Sequence, residues 1–139
     1  MNHAIGAALL PSMGSICRLF VRASRLIVQL CSYFVLRQPA DVQVQVLHVV
    51  QEALSNVRKH AQAREVWVEV QQTPQWRVEV RDDGCGFDPD GAGPDETHVG
   101  LRIMRERAHN IGATVEVTSV PGSGTCVVLK LPERLGLAA

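Results

Sequence analysis

The sequence predicts a single domain of the α/β class, and three observations lead to this expectation. The chain has 139 residues, the length of one ordinary domain with one hydrophobic core. Hydrophobic residues make up 46% and charged residues 20%, a balance typical of globular chains. Segments with helical hydrophobic spacing also follow segments in which apolar and polar residues alternate. We therefore expect helices packed on a sheet.

The charge and cysteine content argue against several classes of protein. Lys plus Arg equals Asp plus Glu at 14 each, so no overall basic field is present to hold nucleic acid. The four cysteines form no C-x-x-C pair, which disfavours a zinc site or disulfide framework and fits a reducing cytoplasm. Arginines interrupt the apolar N-terminal third, so no run approaches the length of a membrane span. We expect a soluble cytoplasmic domain without membrane contact.

The first third of the chain carries weak signals. Residues 1–14 show no clear period and are expected to be a poorly ordered extension, with the folded domain at 15–134 and a tail at 135–139. Apolar residues recur at helical spacing after Ser15, which predicts a short amphipathic helix. They are Ile16, Leu19, Phe20 and Ala23. LIVQL at 26–30 is typical of a strand, and the segment up to Pro39 stays ambiguous.

A long helix is predicted from Asp41, which can cap it, to about Ala61. Valines alternate near its start as in a strand, but the length of the segment favours a helix. The apolar residues fall on one arc of about 120°: Val46, Leu47, Val50, Ala53, Leu54, Val57 and Ala61. The opposite arc carries Gln45, His48, Glu52, Asn56 and Lys59. We expect any chemistry of this helix on that polar stripe.

Strands and a second helix are predicted in the remaining chain. Alternating valines predict strands at 66–70 and 76–80. Residues 82–98 hold four glycines, two prolines and six acidic residues, and predict a long mobile loop. A helix is expected from about Gly100 to Asn110, with Gly112 ending it. Strands are expected near 114–119 and 125–131.

The polar stripe of the long helix is suited to a metal triphosphate. Glu52, Asn56 and Lys59 stand at i, i+4 and i+7 and project together. Mg²⁺ prefers oxygen ligands and keeps several waters, so Asn56 can supply an oxygen while Glu52 orders a water or assists proton removal. Lys59 and His60 can offset phosphate charge. The alternative is a solvated helix face.

Asp82 is a candidate for recognising adenine. It ends a predicted strand and begins the pattern D-x-G-x-G, which includes Gly84 and Gly86. A carboxylate there can accept a hydrogen bond from the exocyclic amine of adenine, where guanine presents an acceptor. The glycines would let the backbone approach the ring. A plain Asp-Gly turn is the alternative.

The start of the second helix is a candidate phosphate site. Gly100 is expected there, where free N–H groups and the helix dipole favour an anion. His98 can contact phosphate or simply face solvent. In GSGT at 122–125, the two glycines can serve a hairpin.

Three segments, in this order and spacing, carry a family resemblance. They are QEALSNVRKHA at 51–61, RDDGCGFDP at 81–89, and HVGLRIMRERA at 98–108 followed by GSGT. They resemble the N, G1 and G2 boxes of the GHKL, or Bergerat-fold, ATP-binding domain of two-component sensor histidine kinases. The resemblance covers about residues 40–132. HVGLRIMRERA is similar to the branch that contains NarX-like nitrate/nitrite sensors and DesK-like kinases.

The resemblance implies a fold and a set of ligands. The fold is a two-layer α/β sandwich, a mixed, mainly antiparallel sheet covered by helices on one face. ATP and Mg²⁺ are the implied cofactors, with Asn56 as the metal-binding asparagine and Glu52 as the acidic residue of the family, in a catalytic role. Leu101 is placed at the nucleotide, and Thr125 resembles a residue that reaches adenine through water. The family often has Asn where Asp83 stands and a further glycine where His98 stands.

The resemblance also implies partners. They are a dimerisation domain with a phosphoacceptor His and a response regulator, and the parent kinase is expected in the bacterial inner membrane. The acceptor His of this branch precedes Asp or Glu, and no histidine here does: His3, His48, His60, His98 and His109. We therefore expect a catalytic fragment that cannot autophosphorylate alone. The alternatives are another GHKL member, such as an ATPase or anti-sigma serine kinase, and a nucleotide-binding interaction module without catalysis.

Overall fold

The computed structural model describes residues 7–8, 16–20, 38–71, 75–91 and 96–132. The elements, in chain order, are strands β1 (Ala7–Ala8) and β2 (Ile16–Phe20), helix α1 (Ala40–Asn56) continued by a π turn (Val57–Ala61), strands β3 (Val66–Gln71) and β4 (Arg77–Asp82), helix α2 (Glu96–Asn110), and strands β5 (Thr114–Ser119) and β6 (Thr125–Lys130). The strand expected at 26–30 lies outside the described residues.

The strands form one sheet in the order β1-β2-β3-β4-β6-β5. Every pairing among the described strands is antiparallel, so the mainly antiparallel sheet is confirmed and no parallel pair is seen in this part of the chain. Val68 lies opposite Val80, which in turn lies opposite Val127. This register puts the alternating valines of three strands on one face, where they form the floor of the core.

Helices α1 and α2 pack together over that face and complete a two-layer α/β sandwich. The buried residues of α1 are Val42, Val46, Val49, Val50 and Ala53. The predicted stripe is therefore partly wrong, because Leu47, Leu54 and Val57 are only half-buried. Helix α2 covers a second part of the sheet and buries Leu101, Met104 and Ala108 as expected.

The helix expected after Ser15 is wrong for Ile16–Phe20, which form strand β2. These five residues pair antiparallel with β3, from Ile16 opposite Gln71 to Phe20 opposite Trp67. An unpaired β3 would present a row of backbone N–H and C=O groups at the sheet edge. Pairing with that edge outweighs a local helical pattern of only a few residues.

Helix α1 starts and ends differently from the prediction. It begins at Ala40 after Pro39, and Asp41 lies in the first turn instead of capping the helix through its side chain. An acidic residue in the first turn still interacts favourably with the helix dipole. After Asn56 the chain does not continue as an α-helix but widens into the π turn Val57–Ala61. This turn rotates the side chains that follow Asn56 away from their expected directions.

Helix α2 begins at Glu96, so its predicted start at Gly100 is wrong and the preceding loop is shorter than expected. The buried residues Thr97, Leu101, Met104 and Ala108 continue one helical stripe into the first turn. Burial of this stripe outweighs the unfavourable helix propensity of an interior glycine. The predicted end is confirmed, because Gly112 has φ +69° and donates from its N–H to the His109 carbonyl at 3.0 Å.

Within the described ranges, neither helix combines the length and the hydropathy that crossing a lipid bilayer requires.

Candidate nucleotide-binding site

One cavity lies where the C-terminal end of α1, the end of β4 and the first turns of α2 meet. The space between these elements measures about 480 Å³ when its open, solvent-filled part is included. Its lining residues are Ala53, Asn56, Val57, His60, Ala61, Val80, Asp82, Gly86, Phe87, Thr97, Leu101, Thr125 and Val127. Most are apolar, and the few polar groups come from different elements, which is the usual composition of a small-ligand pocket.

Asp82 is a buried carboxyl in the wall of this cavity. It is 5% exposed, and its Oδ1 accepts a hydrogen bond from the Gly84 N–H at 2.8 Å. Burial raises the pKa of Asp82, and the nearby charge of Asp83 acts in the same direction. Hydrogen bonds from the backbone N–H groups of Gly84 and Thr125 lower this pKa but do not cancel the effect of burial. The residue is a preorganised acceptor at the strand end.

The neighbours of Asp82 have structural contacts. Asp83, the position where the family often has Asn, accepts hydrogen bonds at 2.9 Å from the backbone N–H groups of both Arg64 and Glu65. A Cβ on Gly84 would overlap the backbone of Ala61, whose carbonyl accepts from the Cys85 N–H at 2.7 Å. Gly84 therefore lets this loop approach the π turn, whereas the sequence suggested an approach to a bound ring.

A second part of the wall is built from Gly86, Phe87 and Thr125, and Ser119 supports it from behind. Gly86 has φ +63°, a left-handed conformation that favours glycine, and the chain then turns so that Phe87 lines the cavity. The Phe87 N–H donates to Ser119 Oγ at 2.9 Å. Ser119 Oγ also lies 2.8 Å from Thr125 Oγ1 and 3.1 Å from the Gly124 carbonyl. These bonds fix the loop against β5 and β6.

Asn56 is the polar residue of α1 that reaches the cavity. It is half-buried, as is Glu52 one turn earlier. Both face α2 at Gly100, where an added Cβ would press on Glu52 Oε1 and lie 3.5 Å from Asn56 Nδ2. Gly100 is thus located inside the helix, where it permits close packing against these two side chains, and its expected place at the helix N-terminus is wrong.

The π turn separates two residues that the sequence placed together. Both residues are exposed, but His60 is among the lining residues and Lys59 is not. Each residue of an i→i+5 turn advances by a smaller rotation than in an α-helix, so the i+7 position no longer follows Glu52 and Asn56. The His60 ring also lies 3.6 Å from the Glu96 carboxylate at the start of α2.

His98 lies in the first turn of α2, outside the cavity lining, and its expected position in a loop is wrong. Its Nε2 is 2.9 Å from the Asp88 carbonyl, and its ring meets Phe87 edge-on with 5.9 Å between ring centroids. These contacts join α2 to the loop that follows β4. In this structure, His98 therefore has structural contacts near the site.

The structure brings six of the predicted site residues to one cavity: Asn56, His60, Asp82, Gly86, Leu101 and Thr125. The predicted residues outside its lining are Glu52, Lys59, Gly84, His98 and Gly100. Sequence reasoning missed Phe87, Thr97 and Ser119. The signal for Thr97 was its place on the apolar stripe of α2, whereas the roles of Phe87 and Ser119 arise from contacts between distant segments.

The donor set bears on the kind of cation that the site could hold. In the part of the chain that the structure describes, no cluster of three or more His, Cys, Asp or Glu side chains is placed to bind a metal. Asn56 offers an amide oxygen, with Glu52 nearby. Such a set fits Mg²⁺, which is commonly bound through one or two protein oxygens together with water and substrate phosphates.

Comparisons with known proteins agree with this geometry. Residues 41–135 match the family described as histidine kinase-, DNA gyrase B- and HSP90-like ATPases. Sensor protein VraS of Staphylococcus epidermidis is 37% identical over 95 residues, covering 68% of this chain and 27% of VraS. Sensor histidine kinase LiaS of Bacillus subtilis is 41% identical over 92 residues, covering 66% of this chain and 25% of LiaS.

A nitrate/nitrite sensor and a solved structure extend the comparison. Nitrate/nitrite sensor protein NarQ of Escherichia coli is 37% identical over 112 residues, covering 76% of this chain and 19% of NarQ. The histidine kinase domain of the Erythrobacter litoralis EL346 blue-light activated histidine kinase superposes with a TM-score of 0.55 at 31% identity. The match covers 69% of this chain and 46% of that one. The chain thus spans about a quarter of the length of the curated relatives it matches.

Fold, cavity and matched residues therefore agree that the chain belongs to the family of histidine kinase-, DNA gyrase B- and HSP90-like ATPases.

Proposed function

We propose that this domain binds Mg²⁺-ATP in the cavity described above and donates the γ-phosphate to a histidine on a separate dimerisation domain, for relay to a response regulator. The observation that carries the proposal is that Asn56 and Asp82, from two different sequence motifs, line the same cavity. One residue type suits a magnesium-bound phosphate and the other suits an amino-purine.

The adenine end is proposed at Asp82 and Thr125. Both residues stand at the end of the β4–β6 pair, directly opposite each other in the register. Val80 and Val127 provide an apolar surface beside them. A purine ring fits such a place because its faces are apolar while its edge carries hydrogen-bonding groups. Gly86 and Leu101 also line this space and would contact the nucleotide.

The phosphate end is proposed at the C-terminal end of α1. Asn56 would hold Mg²⁺ through its amide oxygen, and His60 would face the phosphates from the π turn. Glu52 would order a water or take a proton, held in place by its contact with Gly100. Lys59 would then act from outside the cavity through its charge, and His98 would contact a phosphate from the first turn of α2. Mg²⁺ supplies neutralisation of phosphate charge when bound, and phosphoryl transfer depends largely on such positioning.

The phosphate acceptor is proposed to come from another domain of the parent kinase. No histidine in the sequence is followed by the Asp or Glu that accompanies the acceptor in this branch. The parent kinase is proposed to be held in the bacterial inner membrane with this domain on the cytoplasmic side. The support for nitrate or nitrite as its stimulus is the likeness to NarQ.

A first test separates catalysis from binding alone. Mixing the chain with γ-labelled ATP and a phosphoacceptor helical domain of a related sensor kinase should yield acid-labile, base-stable phosphohistidine on that domain. Phosphoserine instead would favour an anti-sigma-type kinase. ATP binding without any transfer would favour an interaction module, a function for which the absent glycine at His98 is the motivating observation.

The metal role of Asn56 is tested by Asn56→Ala. We expect magnesium to strengthen ATP binding to the wild type, and this magnesium-dependent gain to fall by about tenfold or more in the variant, because an oxygen ligand is lost. Calorimetric titration with ATP, with and without Mg²⁺, measures both values. Asn110→Ala at the exposed end of α2 is the matched control and should behave as the wild type. Unchanged affinity in Asn56→Ala would remove the assigned role.

A further inference from the structure

Ser119 is a buried hydroxyl next to the proposed adenine end, and the proposed function gives it no part. It is 9% exposed and does not line the cavity. Its Oγ has three hydrogen-bond partners: the Phe87 N–H, the Gly124 carbonyl and the Thr125 hydroxyl. Phe87 and Thr125 both line the cavity. Ser119 therefore connects two residues that would contact a ligand.

The protons of this network can be assigned by counting. A serine hydroxyl has one proton and two lone pairs. The Phe87 N–H can only donate and occupies one lone pair, while the Gly124 carbonyl can only accept and takes the proton. One lone pair remains, so the Thr125 hydroxyl donates to Ser119 across 2.8 Å. The reverse assignment would leave the buried Gly124 carbonyl without its bond to Ser119, which costs free energy.

This assignment fixes what Thr125 can offer a ligand. Its single proton is directed at Ser119, so only lone pairs are left for the cavity. Asp82, its register partner, is also an acceptor and takes hydrogen bonds from the backbone N–H groups of Gly84 and Thr125. The polar wall at the end of the β4–β6 pair therefore consists of acceptors from both strands.

We propose that Ser119 is a positioning residue that holds the Thr125 hydroxyl as an acceptor and so makes this wall selective for 6-amino over 6-oxo purine nucleotides. The inference rests on the proposed nucleotide site. A 6-amino group has two N–H donors and can satisfy both acceptors, directly or through water. A 6-oxo purine places a carbonyl oxygen against them, and like partial charges face each other.

The test compares ATP with inosine triphosphate, which differs at the 6-position of the purine. In Ser119→Ala the Thr125 proton is released and can turn toward a 6-oxo group. We expect the preference for ATP over inosine triphosphate, given by the ratio of their dissociation constants, to fall by about tenfold. This is the effect of one good hydrogen bond. Ser119→Thr retains a hydroxyl and should keep the wild-type ratio. Calorimetry gives both constants, and thermal unfolding shows that each variant is folded.

A second variant makes the result independent of Ser119→Ala folding well. Thr125→Val keeps the shape of the side chain but has no hydroxyl. Its preference for ATP over inosine triphosphate should therefore also be smaller than that of the wild type. Adding Ser119→Ala to Thr125→Val should then change the ratio no further, because the hydroxyl that Ser119 orients is absent.

The outcomes are distinct. If Ser119→Ala weakens both nucleotides equally, or if Thr125→Val leaves the ratio unchanged, Ser119 only supports the fold and the inference is overturned. If the wild type binds neither nucleotide, the proposed function itself fails and the inference falls with it.

Discussion

Asp82 shows how a single residue combines a cost in stability with a role in recognition. Its carboxyl is buried and accepts backbone hydrogen bonds, and burial raises its pKa. A charge that is buried without a cationic partner is usually retained for function, because an uncharged isostere would be cheaper to bury. At this scale, the sequence pattern D-x-G-x-G identified the position, and the structure supplied the reason for its environment.

Asp82→Asn is expected to reduce the preference for ATP over GTP by about tenfold or more, because an amide can turn its N–H₂ toward a 6-oxo group. Competition of GTP against labelled ATP measures the preference. Asp90→Asn, an exposed position in the loop after β4, is the matched control. A variant at position 82 that still prefers ATP as strongly as the wild type would show that this carboxyl does not read the base.

Neighbouring residues illustrate the limits of reasoning from residue type alone. Asp83 stands where the family often has Asn, and it accepts two hydrogen bonds from the backbone just before β3. Gly84 resembled a ring contact but makes room for the π turn. In both cases the residue type was informative, since a carboxylate seeks donors and a glycine permits close approach. Which partner each one meets depends on segments about 20 residues away.

At the scale of elements, the π turn after Asn56 decides which side chains reach the cavity. The amphipathic pattern predicted one continuous helix to Ala61, and the hydrophobic periodicity is too coarse to reveal one wider turn. π turns are uncommon and occur often at functional sites. Of the two basic residues predicted near the phosphates, His60 lines the cavity after this turn and Lys59 does not.

The different positions of Lys59 and His60 predict different effects of their substitution by alanine. Lys59→Ala should change the ATP dissociation constant by less than about twofold at physiological salt, because its charge is screened by solvent and lies outside the cavity lining. His60→Ala should weaken ATP by about fivefold, since a lining side chain is removed. Measuring the ATP dissociation constant of both variants, with a thermal unfolding curve for each, decides between the π turn and a continuous α-helix. A larger loss in Lys59→Ala would favour the continuous helix that the sequence predicted.

For helix α2, the interior was predicted more accurately than the start. Its interior residues were predicted well because Leu101, Met104 and Ala108 recur at helical spacing. Its start was predicted four residues too late, at the glycine of the motif. Glycine and proline content upstream suggested a loop, but packing of Thr97 and Gly100 against the rest of the domain stabilises the extra turn.

The free energy of unfolding of the whole domain is expected to depend on pH because the Asp82 carboxyl is buried. Burial raises the pKa of this carboxyl above its ordinary value of 3.8, so the folded protein keeps the proton to a higher pH than the unfolded chain. Between the two pKa values the folded state binds more protons, and the contribution of Asp82 to the free energy of unfolding falls as pH rises. Above that window, at pH 7, the buried Asp82 carboxylate lowers the free energy of unfolding by its full amount.

Asp82→Asn removes this titration. We therefore expect the free energy of unfolding of the variant, minus that of the wild type, to increase as pH rises from 3.8 through the pKa of the folded protein. The difference should be constant on either side of this window. Urea unfolding at a series of pH values measures it. A difference that does not change over the range, or that decreases with pH, would contradict the raised pKa.

Four of the strands, both helix interiors and the three motifs could be predicted from the amino-acid sequence, and the motifs carry the resemblance that implies the fold class. These features depend on local periodicity and on the residue types that one kind of chemistry requires. They can therefore be recognised without knowing which distant segments pack together. The tertiary structure alone decided that Ile16–Phe20 is a strand, where each helix begins, and that the π turn brings His60 to the cavity in place of Lys59. It also decided the proton arrangement of Ser119 and Thr125. The physical reason is the same in each case: the competing conformations are close in local free energy, and contacts with distant residues select between them.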